Sequence, residues 1–268
     1  MSAADAQIRA WKRPPLIGNP WLRWGLYIGG LVYLVAAIAT LDVNWTRVVE
    51  GLSQGLRFLE GFLVPDFTTR SREIWRGMEE SLTMTVTATI VGCLLSIPIG
   101  LGAARNIAPL PVYAVCRAVI AVSRAFQEII LAILFVAMFG FGPFAGFLTL
   151  SFATIGFMAK LLAEDIEDIN EAQAEAIRAT GATWWQVVNY GIQPQVMPRL
   201  VGLSLYRLDI NFRESAVIGI VGAGGIGATL NTAMQRYDYD TASAILIMII
   251  VIVLAAEYVS SHLRKWVQ

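Results

Sequence analysis

A chain of 268 residues that is 56% hydrophobic and only 15% charged, with mean hydropathy +0.61, carries too little charge to cover a soluble surface. This is a membrane protein's composition, and it excludes disorder. Twenty basic residues balance twenty acidic ones, so no global field draws nucleic acid or an acidic substrate. The two cysteines, Cys93 and Cys116, lie in apolar runs and the single histidine, His262, lies near the end, which leaves no disulfide framework and no His/Cys metal site.

A helix crosses about 30 Å of hydrocarbon with roughly 20 apolar residues. Six stretches qualify in chain order: Trp24 to Leu41, Leu82 to Ala104, Tyr113 to Phe139, Pro143 to Leu162, Met197 to Val221 and Ala242 to Val259. The first follows Arg9, Lys12, Arg13 and Arg23, too scattered and lacking a small-residue cleavage site, so it reads as a retained span rather than a signal peptide. Tyr113 to Phe139 is longer than needed and is expected to be tilted or broken. Six spans place both termini on one side. Basic residues at both ends, with Arg105, Arg117 and Lys160, make that side the cytoplasm, against which the five arginines between Asp42 and Glu80 count. The expected organisation is a cytoplasmic segment at 1–23, a first span at 24–41, an external loop at 42–81, and a five-helix core at 82–268 with a cytoplasmic segment at 163–196.

In the external loop Val48, Val49, Leu52, Leu56, Leu59 and Leu63 recur at helical spacing and predict an amphipathic helix, resting on the outer membrane surface or on the bundle. Leu161 to Val196 is too long for a tight connection and holds Glu164, Asp165, Glu167, Asp168, Glu171 and Glu175. Glu171 to Val188 reads as helical, with Asn170 as N-cap and alanines as strong formers, until Gly181 interrupts it. Two short helices meeting at a small residue make a knob for a partner protein to clasp. An acidic solvated loop is the competing reading.

Glu175-Ala176-Ile177-Arg178-Ala179-Thr180-Gly181, followed by Ile192-Gln193-Pro194, resembles the loop shared by permease subunits of binding-protein-dependent ABC importers. That loop runs Glu-Ala-Ala, three residues, Gly, nine residues, Ile-any-Leu-Pro. Glu175, Ala176, Gly181 and Pro194 match in register; the third Ala is Ile177, the Leu is Gln193, and Ile192 sits one place late. The strings at 177–182 (IRATGA), 194–198 (PQVMP), 204–207 (SLYR), 221–227 (VGAGGIG) and 139–146 (FGFGPFAG), with Lys160-Leu161-Leu162, are similar to phosphonate-importer permeases in particular. The resemblance covers roughly Leu82 to Lys265. It implies an all-α fold of about six spans, the type I (MetI-like) importer fold, in the bacterial cytoplasmic membrane. It also implies a second copy of the chain, two ATPase subunits that bind the ATP and Mg, and a soluble binding protein delivering a phosphonate, phosphite or phosphate. Glu175, Ala176, Gly181, Ala182, Thr183 and Pro194 become the expected ATPase-coupling residues.

A charge at the centre of a span costs about 2.5 to 3.5 kcal/mol on insertion scales, so it faces protein or a watery cavity. Arg124 and Glu128 stand four apart in the third span and are expected to share a face and pair. In the fifth, Arg207, Asn211 and Glu214 fall on one side of the helix while Asp209 and Arg213 share another. The planar guanidinium suits an oxyanion, so Arg124, Arg207 and Arg213 are candidate pathway residues, with Glu128, Asp209 and Glu214 offsetting their charge so that the ion can leave. The competing reading is that these groups only join helices or subunits.

Gly222, Gly224 and Gly227, with Gly225 between, satisfy G-x-G-x-x-G. A dinucleotide site needs a short buried strand in an alternating strand and helix pattern, which is missing here. Close packing or a gating bend at the end of the fifth span fits better. No G-x-x-x-x-G-K-[ST] occurs, so energy comes from another chain, and no catalytic constellation or metal site is expected. An ATP-independent anion channel or secondary carrier is the alternative, and a membrane scaffold a third reading.

Overall fold

The computed structural model describes residues 17, 19–41 and 44–267, so Arg9, Lys12 and Arg13 lie outside the described residues. Among them every regular element is a helix. Five helices are long and apolar enough to cross a membrane, or six when one bent pair is taken as a single span. Contact clustering divides the chain after Arg57 into two units.

The first unit contains α1 (Pro20–Ala39), capped where the Asn19 side chain accepts the Trp21 amide at 3.1 Å, with proline at the helix start. None of its side chains is buried. The division falls inside α2 (Trp45–Gly61), which carries Val48, Val49 and Leu52 exposed. Leu63 of the expected apolar face lies just past its end.

The second unit is built on α3 (Ser71–Ala103) and α6 (Pro143–Glu167), its most extensively packed pair. Lipid tails are as apolar as leucine, so helices in a bilayer associate through close backbone approach and interhelical hydrogen bonds. The sequence supplies both. Gly77, Ser81, Thr85, Thr89, Gly92, Ser96 and Gly100 recur every three or four residues along α3, and all are buried. A Cβ added to Gly92 would stand 2.5 Å from the Thr154 side chain of α6, and one at Gly100 would stand 2.8 Å from Leu162. Into this pair packs α9 (Gln193–Ile220), whose Asn211 is fully buried. The Asn211 amide donates to the Thr89 hydroxyl at 2.8 Å and to Thr154 at 2.9 Å, joining α3, α6 and α9 at one point. Further along the chain come α10 (Gly225–Gln235) and α11 (Tyr239–Val267), packed on α9.

Where one span was expected over Tyr113 to Phe139 there are two helices, α4 (Leu110–Ala125) and α5 (Glu128–Phe139), bent by 92°. Phe126 and Gln127 between them are extended, with ψ of 135° and 143°. Outside the spans, Asp66 closes a turn ahead of α3. Its carboxyl is held far below the usual range by the hydroxyls of Thr69 and Thr68, followed by their backbone amides.

Candidate functional site

Three features bear on function, and α9 or its ends touch all of them. The first precedes α9. The α7 helix (Glu171–Ala179) begins where the Asn170 side chain accepts the Ala172 amide at 3.1 Å, and ends at Thr180 ahead of Gly181 with φ +81°. Positive φ costs most residues roughly 1–2 kcal/mol, so glycine suits this corner. A one-turn helix, α8 (Trp184–Val187), follows, with Thr183 and Gln186 forming a capping box, and a π turn at Val188–Ile192 leads into α9. Ala174, Val187, Val188 and Ile192 bury the underside against Leu162 and Ile166 of α6, while Glu175, Ala176, Arg178, Gly181 and Thr183 remain exposed. Ala182 is half-buried, and Pro194 sits in the first turn of α9. The two short helices expected to meet at Gly181 are present, with Val188 falling in the π turn just past α8.

Sequence reasoning missed the tie that holds this segment to α9. The Gln195 carboxamide accepts the Asn170 amide at 3.0 Å and donates to the Asn170 carbonyl at 3.4 Å and to the Gly191 carbonyl at 2.6 Å. One side chain thereby joins the start of α7 to the first turn of α9. Gln195 lay inside the flagged string at 194–198, but glutamine carries no marker of such a role.

The second feature is a cleft of about 360 Å³ at the α4–α5 break, lined by Ser123, Arg124, Gln127, Glu128, Phe157 and Arg207 among others. Arg207 is 3% exposed. Its Nε donates to Thr154 at 3.2 Å, its Nη2 lies 3.2 Å from Glu214 and 3.9 Å from Glu128, and its guanidinium lies 5.3 Å from the Phe157 ring centroid. The expected Arg124–Glu128 pair is not formed. The extended Phe126–Gln127 step puts the two residues on different helices, and Glu128 turns to Arg207 instead. Arg124 is exposed and pairs with no carboxylate among the described residues. Arg207, Asn211 and Glu214 do share one side of α9. Asp209 and Arg213 pair with each other on another, where Asp209 lines a small cavity with Thr85 and Phe212. The six charges named from sequence therefore form two groups, not one lining.

The third feature is at the far end of α9, where the two glycine strings flagged separately meet. The Gly142 amide donates to the Gly222 carbonyl at 3.0 Å. Gly222, Gly224 and Gly225 have φ of +97°, +79° and +73°. A Cβ on Gly224 would stand 2.6 Å from Pro143 N, and one on Gly227 only 1.9 Å from the Ala216 carbonyl oxygen. From α3, Glu80 accepts the Gly225 amide at 3.3 Å and Ser81 the Ile226 amide at 2.9 Å. Close packing is what the glycines provide here.

The description of a family whose model matches residues 96–268 is binding-protein-dependent transport system inner membrane component. The chain belongs to this family. As a multi-pass inner membrane component of a binding-protein-dependent transport system, it is set apart from the channel and carrier readings. The phosphate-import permease protein PhnE of Mycolicibacterium smegmatis is 39% identical over 241 residues, covering 90% of this permease but 45% of that protein, so the chain spans under half of that relative's length. The phosphite transport system permease protein PtxC of Stutzerimonas stutzeri is 37% identical, with 91% of this chain and 90% of the relative covered. Among solved structures, the inward-facing MetNI methionine ABC transporter matches with TM-score 0.61 and 25% identity, over 74% of this chain and 95% of that one. The MetI-like permease fold expected from the motifs is therefore the fold observed.

Proposed function

We propose that this permease is the membrane passage of an ATP-driven importer for a phosphorus oxyanion: phosphonate, phosphite or phosphate. Two copies of the chain enclose the passage in the cytoplasmic membrane. Two ATPase subunits, which hold the ATP and Mg, dock on the α7 end, and an extracytoplasmic binding protein delivers the ion at the opposite end. Both termini are cytoplasmic. The observation that carries this reading is the exposed knob at Glu175–Thr183, tied through Gln195 to the same helix that places Arg207, paired with Glu214, at a polar cleft. A displacement of α7 at the ATPase surface reaches α9 directly, and α9 carries the charges an anion would meet. The named functions of the phosphate and phosphite permeases support the choice of ion.

ATP closure of the ATPase pair moves the knob, α9 shifts against α3 and α6, and the passage opens outward; ADP release reverses the change. The test is ATP hydrolysis by liposomes holding this chain and its ATPase, given binding protein loaded in turn with 2-aminoethylphosphonate, phosphite, phosphate or sulfate. Stimulation by a phosphorus oxyanion is expected. An ATPase that fails to bind the chain refutes the coupling reading, and stimulation by sulfate alone refutes the substrate class.

A further inference from the structure

Arg207 makes poor sense as a helix joiner alone. Its Nε donates to Thr154 and its Nη2 faces Glu214 and Glu128, while Nη1 meets no acceptor among the described residues and, not being among the buried unpartnered atoms, is open to the cleft whose wall Arg207 forms. A guanidinium has five N–H donors, and those of Nη1 are left to whatever enters the cleft. Arg124 lines the same cleft and pairs with no carboxylate among the described residues. The Gln127 side chain and the first residue of α5 line the cleft too, and the positive end of that helix's dipole lies there.

Charge decides what fits. Arg124, Arg207 and Glu128 line the cleft, and Glu214 reaches Arg207 from beside it, so acidic groups stand against the two guanidiniums. Glu128 is the looser of the two carboxylates on Arg207, at 3.9 Å against 3.2 Å for Glu214. An arriving oxyanion competes with Glu128 for the guanidinium and takes up Arg124, while Glu214 stays in place. When it leaves, Glu128 returns. This arrangement holds an anion weakly and replaces it with an internal one, which is what a passage needs.

We infer that the cleft between Arg124 and Arg207 is a low-affinity binding site for a tetrahedral phosphorus oxyanion inside the permease itself, with Glu128 as the internal competitor that releases the ion. The inference rests on the transport reading above and names the ligand and the release group at its site. It follows that selectivity is not held by the binding protein alone.

The test is phosphorus NMR line broadening of inorganic phosphate and, separately, methylphosphonate by the purified permease in nanodiscs, with no ATPase and no binding protein. Wild type should broaden the signal with a dissociation constant on the order of millimolar. Arg124→Gln, at an exposed and unpaired position, should weaken binding about tenfold, whereas Glu128→Gln should tighten it several-fold. Arg72→Gln, which removes the same charge at an exposed site on α3, should leave the broadening unchanged. Equal binding by wild type and Arg124→Gln overturns the site, and weaker binding by Glu128→Gln overturns the competitor role. Binding in nanodiscs without ATP-driven uptake in liposomes would leave the site standing and sink the importer reading; uptake untouched by Arg124→Gln sinks the site alone.

Discussion

The two ends of α9 are secured in opposite ways. At the Gly222–Gly227 end, backbone lies against backbone: Gly142 on Gly222, Gly224 on Pro143, Gly227 on the Ala216 carbonyl. The side chains that do reach this end, Glu80 and Ser81, accept backbone amides of Gly225 and Ile226. At the Gln193 end, a knob rests on alanine, valine and isoleucine side chains and is held by side-chain ties: the Gln195 carboxamide, the Trp184 indole on the Ile107 carbonyl, and Arg199 of α9 on Asp165. Side chains can re-pack, whereas backbone in contact moves as a unit or not at all. A helix pinned by backbone at one end and held by side chains at the other is expected to yield first at the second, and the arginine cleft lies between the two.

Substitutions should expose this contrast as a gradient in folding cost. Gly227→Ala puts a carbon where only 1.9 Å is open to a carbonyl oxygen, and should destabilise by about 3 kcal/mol or more, leaving little protein in the monodisperse peak of a size-exclusion run. A variant that melts with wild type would break the pinned-end picture. Asn211→Leu removes both buried hydrogen bonds to Thr89 and Thr154 between the ends, for a loss of about 1–2 kcal/mol in the same melting assay. At the end held by side chains, Gln195→Leu should cost only about 1 kcal/mol. Its signature is functional: more ATP hydrolysed per ion carried with ATPase binding intact, partly rescued by Gln195→Glu, which keeps the acceptor for the Asn170 amide. An unchanged ratio would reduce Gln195 to a structural tie. Smallest in stability is Glu175→Lys on the exposed knob, within about 0.5 kcal/mol of wild type, yet the ATPase should no longer co-purify with it.

Legibility followed the same gradient. The membrane class, the helices and the family resemblance could be read because apolar runs and glycine strings are local patterns, and the glycines at 222–227 announce a backbone constraint wherever they occur. The partner of that constraint, Gly142, was also visible as a string, but nothing along the chain says that two strings eighty residues apart meet. The two-sidedness of α9 followed from helical periodicity, since Arg207, Asn211 and Glu214 are spaced to share a face. The same arithmetic failed at Arg124 and Glu128, because a four-residue spacing implies a shared face only inside an unbroken helix. The excess length of Tyr113 to Phe139 signalled a tilt or break, but Phe126 and Gln127 contain neither proline nor glycine, so nothing marked where it falls. Gln195 was unreadable for a different reason: its role depends on Asn170 lying beside it, a tertiary fact.

That break has a bearing on how the chain is built into a bilayer. At 1.5 Å per residue, the 16 residues of α4 reach about 24 Å and the 12 of α5 about 18 Å, each short of the hydrocarbon thickness. Neither half is a self-sufficient insertion unit, and the extended peptide groups between them find no partners in lipid. α4 packs on the earlier α3 as well as on α6, whereas α5 packs on α6 and α9, both made later on the ribosome, so residues 110–139 are expected to settle fully only once α6 is present. In biogenesis this segment waits for its successor, so a truncation after Phe139 should leave it outside the membrane or half-inserted.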